Sequence, residues 1–194
     1  MTAAAAAATL ALASGCGGGT RQDHGEAELN YLVAAPVASF PARQSLAQHS
    51  EMRIAVRNLG NRTIPNLAVT IAAAGGGTET EAFDFLTDAT GVASRSRPAW
   101  IVDDGPVDGD TADANTWALG PLRPHATKTF VWHVAAVRAG SYILTYQLAG
   151  SLTGRSQLRL RNGGVPRGSF RVQVTRKAAQ VHVTPAGKIV SVPG

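Results

Sequence analysis

An all-β sandwich is the fold class predicted by this chain, and three observations predict it. Apolar and polar residues alternate with a period of two in several short runs. Turn-forming clusters rich in Gly, Pro and Asn separate those runs. No stretch after residue 30 carries a helical period with capping residues. The 21 Gly and 10 Pro are frequent enough to punctuate many short elements without signalling low complexity.

The strands can be read in chain order. Met52, Ile54 and Val56 alternate with Arg53, Ala55 and Arg57, the signature of a strand buried on one face. Asn58-Leu-Gly-Asn61 is a turn, because Gly and Asn accept positive φ at small cost. Leu67, Val69 and Ile71 form the return strand. Phe130, Trp132 and Val134 alternate with Val131 and His133, so His133 is expected on the solvent side. Tyr142, Leu144, Tyr146 and Leu148 follow, then Leu158/Leu160, Phe170/Val172/Val174 and Val181/Val183. Pro185-Ala-Gly-Lys188 reads as a hairpin turn before Ile189–Val192, so residues 177–194 are expected to be a closing hairpin or an edge strand. The domain itself is expected to span 28–176.

Met52–Ile71 resembles the hairpin of bacterial immunoglobulin-like repeats of the CARDB and DUF11 type, with its V-x-N-x-G-N core. Leu119-Gly-Pro-Leu-Arg-Pro-His-Ala-Thr-Lys-Thr-Phe130 and Ala139-Gly-Ser-Tyr-Ile-Leu-Thr-Tyr146 are similar to two later stretches of those repeats. The resemblance covers roughly residues 45 to 150. It implies an immunoglobulin-like antiparallel β-sandwich in which Tyr142 makes a corner contact. His125 stands where such repeats usually carry Gly, which implies a His at positive φ.

Residues 72–116 are longer than a sandwich needs between two strands, and are expected to be an inserted loop or strand pair. Long ordered loops are where binding concentrates. Trp100 and Trp117 are therefore candidate ligand contacts, although the apolar run Ala99–Val102 favours Trp100 as a cover for one end of the sandwich. Asp103, Asp104, Asp108 and Asp110 could supply oxygens to calcium, but their spacing departs from the EF-hand pattern. A solvated acidic loop is preferred there, and no metal or cofactor is assigned.

At the N-terminus, Ala3–Ala13 is uncharged, apolar and shorter than the roughly 20 residues of a membrane span. Small residues and Cys16 follow, then Gly17-Gly-Gly19. Leu12-Ala-Ser-Gly-Cys16 resembles the lipobox of bacterial lipoproteins. The resemblance implies a signal peptide over 1–15 and a lipidated Cys16 starting a flexible tether over 16–27. It also implies an address on the extracytoplasmic face of the cell membrane, lipid-anchored. The plainer alternative is an Ala-rich N-terminus with an incidental thiol. With one Cys there is no intrachain disulfide, so the domain rests on core packing.

Charge is uneven along the chain, whose net is +5. All 13 acids lie at or before Asp113, while 11 of the 18 cations follow it. Arg155, Arg159, Arg161 and Arg171 are the candidate basic contacts, for a protein or an anionic envelope polymer. An Arg-rich solvated surface is the plain alternative, and nucleic acid is excluded on location. No nucleophile elbow, zincin, phosphate-loop or dinucleotide motif is present, so no catalytic residue is assigned.

The functional expectation is a non-catalytic, lipid-anchored interaction or adhesion-type module of a bacterial envelope. A polysaccharide- or solute-binding module would instead expose Trp100 and Trp117 along one groove. An envelope hydrolase would need a convergence of carboxylates or His with perturbed pKa values.

Overall fold

The computed structural model describes residues 29–74, 83–85, 98–106, 110–113, 115–152, 155–178, 180–187 and 189–192. The expected signal run, Cys16 and the tether lie outside the described residues, as does Asp108. Every described element is a strand. In chain order they are β1 (Leu29–Leu32), β2 (Val37–Ser39), β3 (Arg43–Leu46), β4 (His49–Arg57) and β5 (Ala68–Ala74). Then come β6 (Phe83–Phe85), β7 (Trp100–Asp104), β8 (Asp110–Asp113), β9 (Thr116–Ala118) and β10 (Thr127–Ala136). The last are β11 (Gly140–Ala149), β12 (Ser156–Arg159), β13 (Arg167–Ala178), β14 (Gln180–Val183) and β15 (Ile189–Val192).

Alternation decides which way each long strand faces. Along β4, Ser50, Met52, Ile54 and Val56 are buried while His49, Arg53 and Arg57 are exposed. On β10, Phe130, Trp132, Val134 and Ala136 turn inward. Leu144, Tyr146 and Leu148 do so on β11, and Val172 and Val174 on β13. These residues cannot hide their apolar faces alone, so two sheets close on each other. One is five-stranded, in the order β2-β4-β10-β7-β6. The other is six-stranded, in the order β3-β13-β11-β5-β9-β8. The result is an immunoglobulin-like β-sandwich.

The central pairs are antiparallel, but three edge pairs are parallel: β3 with β13, β6 with β7 and β1 with β12. The parallel β3–β13 pair arises because one extended segment changes sheets. β2 pairs with β4, and four residues after β2 the chain is paired to β13 in the opposite sheet. Pro41 sits at the crossing, where its missing N–H ends the ladder. Edge strands for both sheets come from the 72–116 segment, which holds β6, β7 and β8 and reaches the first residue of β9. At the C-terminus, β14 and β15 pair as an antiparallel hairpin, with Gly187 N–H bonded to Thr184 O at 2.8 Å.

Aromatic rings fill the core at two levels. Trp100 contacts Tyr142 and Phe40, and Phe40 also meets Phe170. At the other level Trp117 of the six-stranded sheet meets Trp132 of the five-stranded sheet edge-on, with ring centroids 5.3 Å apart. Tyr142 donates its hydroxyl to the carbonyls of Arg138 (3.1 Å) and Ala139 (3.3 Å), a tyrosine corner. His125 has φ 59°, the left-handed conformation implied by its place in the turn.

Candidate functional site

The outer faces of the two sheets differ in chemistry. On the six-stranded sheet, the outward residues of β13 are Arg167, Ser169, Arg171 and Gln173. Register sets Gln147 opposite Arg167, Thr145 opposite Ser169 and Ile143 opposite Arg171. Thr70 lies beyond Gln147 on β5, and Arg43 lies beside Gln173 on β3. The Thr70 and Thr116 hydroxyls are 2.9 Å apart, and Thr145 donates to the Ala72 carbonyl at 3.3 Å. A depression of about 750 Å³ opens here, lined by Thr70, Thr145, Gln147, Arg167 and Ser169. Strands β3, β5, β9, β11 and β13 contain no Asp or Glu. None of Arg43, Arg167 or Arg171 pairs with a described carboxylate.

The five-stranded sheet carries the described acid–histidine pairs, whereas the acids of the six-stranded sheet, Asp110 and Asp113, stand on its edge strand β8. His49 Nδ1 lies 2.8 Å from Asp103 Oδ2. His133 sits between two carboxylates, with Nε2 3.4 Å from Glu51 and Nδ1 3.6 Å from Asp104. Glu51 also receives a hydrogen bond from Arg53, which holds its carboxyl below the ordinary value, with His133 adding to the effect. The β10–β7 register shifts between His133 and Val134, and this bulge brings Asp104 opposite His133. Both histidines are more than half exposed, so this is a solvated polar network on a sheet surface.

Several sequence expectations meet their positions here. Trp100 and Trp117 are 0% and 1% exposed, which corrects their candidacy as ligand contacts. Each indole is consumed by the core, and a stacking groove built on them does not exist. Asp103 and Asp104 belong to β7 and face histidines, whereas Asp110 begins β8 in the other sheet. Among the described residues no group of His, Cys, Asp and Glu is arranged to hold a metal.

Of the four candidate arginines, only Arg171 lies on the six-stranded sheet. Arg159 is on β12, paired with β1, where it donates to Asn30 Oδ1 at 3.3 Å and to Gln157. Arg155 and Arg161 flank that strand, exposed. Arg43 and Arg167 share the outer face with Arg171, and Arg43, distant along the chain, is brought there by the β3–β13 pairing. The His133–Glu51 pair was equally invisible, although both lie on recognisable strands, because only the register makes them direct partners.

Beside His133 the Glu51 carboxyl is paired and held below its ordinary value, which disfavours it as a general acid.

No family model matches the chain, and no curated protein matches it. Solved structures show likeness of fold. The CARDB domain of a Pyrococcus furiosus protein, crystallised with di-metal ions, is 14% identical, with 75% of this chain and 94% of that one covered and a TM-score of 0.44. Escherichia coli α-2-macroglobulin, from domain MG7 to its C-terminus, is 14% identical over 79% of this chain and 18% of that one, with a TM-score of 0.45. A Listeria innocua β-glucosidase in complex with glucose is 9% identical over 74% of this chain and 16% of that one, with a TM-score of 0.37. At such identities function has to be argued from the surface of the chain itself.

Proposed function

We propose that this chain is a non-catalytic interaction module of a bacterial cell envelope, held at the outer face of the membrane by acyl chains on Cys16. Its partner is engaged through the outer face of the six-stranded sheet. The observation that carries the reading is the distribution of charge: Arg43, Arg167 and Arg171 share one sheet face whose strands β3, β13, β11, β5 and β9 contain no acid, the acids of that sheet, Asp110 and Asp113, standing on its edge strand β8, while His49, Glu51, Asp103, Asp104 and His133 collect on the five-stranded sheet. A face of one sign attracts and orients a partner of the opposite sign. The Cys16 environment, an apolar run followed by small residues and a Gly-rich tether, supports the anchor.

Metabolic labelling with an alkyne fatty acid, followed by membrane fractionation, tests this reading. Wild-type protein is expected to take up label and sediment with membranes, and Cys16→Ala to lose both. An unlabelled wild type would contradict the anchor.

A further inference from the structure

We propose that the outer face of the six-stranded sheet is a docking surface for a linear polyanion, namely a polyol whose units are joined by phosphodiesters. The inference rests on the envelope-module reading and names the chemistry of its partner.

The first argument is charge. Arg43, Arg167 and Arg171 are exposed and unpaired with any described carboxylate. An arginine fork donates two parallel hydrogen bonds to a pair of oxygens, which phosphodiester groups offer at every pH of interest.

The second argument is alignment. Arg167 and Arg171 point the same way from one strand, four residues apart, or about 13 Å at the rise of an extended chain. Arg43 lies beside Gln173, two residues further along the same direction on the neighbouring strand. The three cations are strung along the strand axis rather than clustered. A cluster would suit one compact anion, whereas a line suits an extended chain that meets a positive charge at intervals.

The third argument separates the possible polyanions. Beside the arginines lie Ser169, Gln147, Thr145 and Thr70, lining the depression of about 750 Å³. They offer hydroxyl and amide partners for hydroxyl groups between the charges. Aromatic rings are absent from the outward positions of β5, β11 and β13, because Tyr142, Tyr146 and Phe170 turn inward to packed rings. Single-stranded nucleic acids bind on aromatic platforms, and protein partners need aromatic or apolar anchors at a desolvated centre. Ile143, 36% exposed, is the large apolar side chain at the described outward positions of these strands. An acyclic, hydroxylated phosphate polymer needs neither platform nor anchor.

The test uses the purified full chain titrated with poly(glycerol phosphate) between about 50 and 200 mM salt. Wild type is expected to bind with an affinity that falls steeply with salt. Arg167→Gln/Arg171→Gln is expected to bind about thirtyfold more weakly and with a shallower salt slope. Arg57→Gln/Arg123→Gln, exposed positions off this face, is expected to bind as wild type does. Should the double variant on the docking face fail to melt cooperatively, the two single variants carry the comparison, each with a loss of about fivefold.

Failure of wild type to bind would overturn the proposal, as would equal loss in the Arg57→Gln/Arg123→Gln control. Equal binding of polyglutamate, polygalacturonate or phosphatidylglycerol vesicles at matched charge would overturn the assignment to a polyol phosphate. Because acylation of Cys16 plays no part in binding to poly(glycerol phosphate), failure of that titration is distinguishable from failure of the labelling experiment on Cys16.

Discussion

The indole N–H of Trp100 donates to the side-chain carbonyl of Gln44 at 2.7 Å, and the two residues are 0% and 2% exposed. Trp100 belongs to the five-stranded sheet and Gln44 to the six-stranded one, so this buried bond joins the two layers. The nitrogen of the same side-chain amide donates to Pro41 O at 3.0 Å, next to the crossing between sheets. Gln44 thus ties the sheet switch to the core. Trp132 is equally buried, but its Nε1 has no hydrogen-bond partner among the described residues.

Trp100→Phe is therefore expected to destabilise more than Trp132→Phe, by about 1–3 kcal/mol, since it strands the buried Gln44 oxygen. Both variants lose similar ring volume, which the comparison cancels. Denaturant midpoints measure the difference. A Trp132→Phe variant as damaged as Trp100→Phe would contradict the role given to this bond.

Asn58 is fully buried and satisfies three backbone groups at once. Its Nδ2 donates to Arg62 O at 2.8 Å and Leu122 O at 3.1 Å, and its Oδ1 accepts from Gly60 N–H at 2.9 Å. Asn58→Ala is expected to lower stability by about 2–4 kcal/mol. Asn58→Asp should be worse near neutral pH, because a carboxylate would face two carbonyl oxygens. Equilibrium unfolding checks both, and a change within about 0.5 kcal/mol for the alanine variant would refute the account.

His125→Gly is expected to raise the melting temperature. The side chain at φ 59° carries a left-handed penalty of about 1 kcal/mol that glycine lacks, partly offset by the entropy glycine gains when unfolded. His125→Val should lower it, since a β-branched residue is least tolerant of that conformation. Calorimetry on the two variants reads opposite signs if the turn is as described.

Glu51 gives the acid limb of stability a defined sign. Its carboxyl is held below its ordinary value by Arg53, so its contribution is present above the unfolded value near 4.5 and is lost as pH falls through the lower, folded value. Wild type should lose a small stability increment on acidification that Glu51→Gln does not lose. The effect is small because the pair is solvated. Melting curves from pH 6 to about 3 make the comparison, and parallel curves would contradict it.

How much of this was legible from sequence depends on strand length and on what pairs with what. Strands β4, β10 and β11 are long enough for a period of two to show, and each buries a run of apolar residues on one face, so their inward residues were readable one by one. β6 and β8 are edge strands of three and four residues, too short to display a period. β3 was hidden for another reason: its inward position is Gln44, a polar residue buried because Trp100 satisfies it.

The basic face shows the same limit. Arg155, Arg159, Arg161 and Arg171 lie close in sequence, but β12 pairs with β1 while β13 enters the six-stranded sheet, so the strand pairing separates them. The charge imbalance along the chain was visible. Its division between faces was not, because it depends on which sheet each strand joins.

The central claim is that this module engages the envelope through the outer face of its six-stranded sheet. The most direct measurement is co-sedimentation of the purified full chain with isolated cell envelopes, comparing Arg167→Glu/Arg171→Glu with Arg57→Glu/Arg123→Glu. The two variants carry the same change of net charge on different surfaces. The account expects binding to be lost in the first and retained in the second. Equal binding by both, or loss in the second alone, would contradict it.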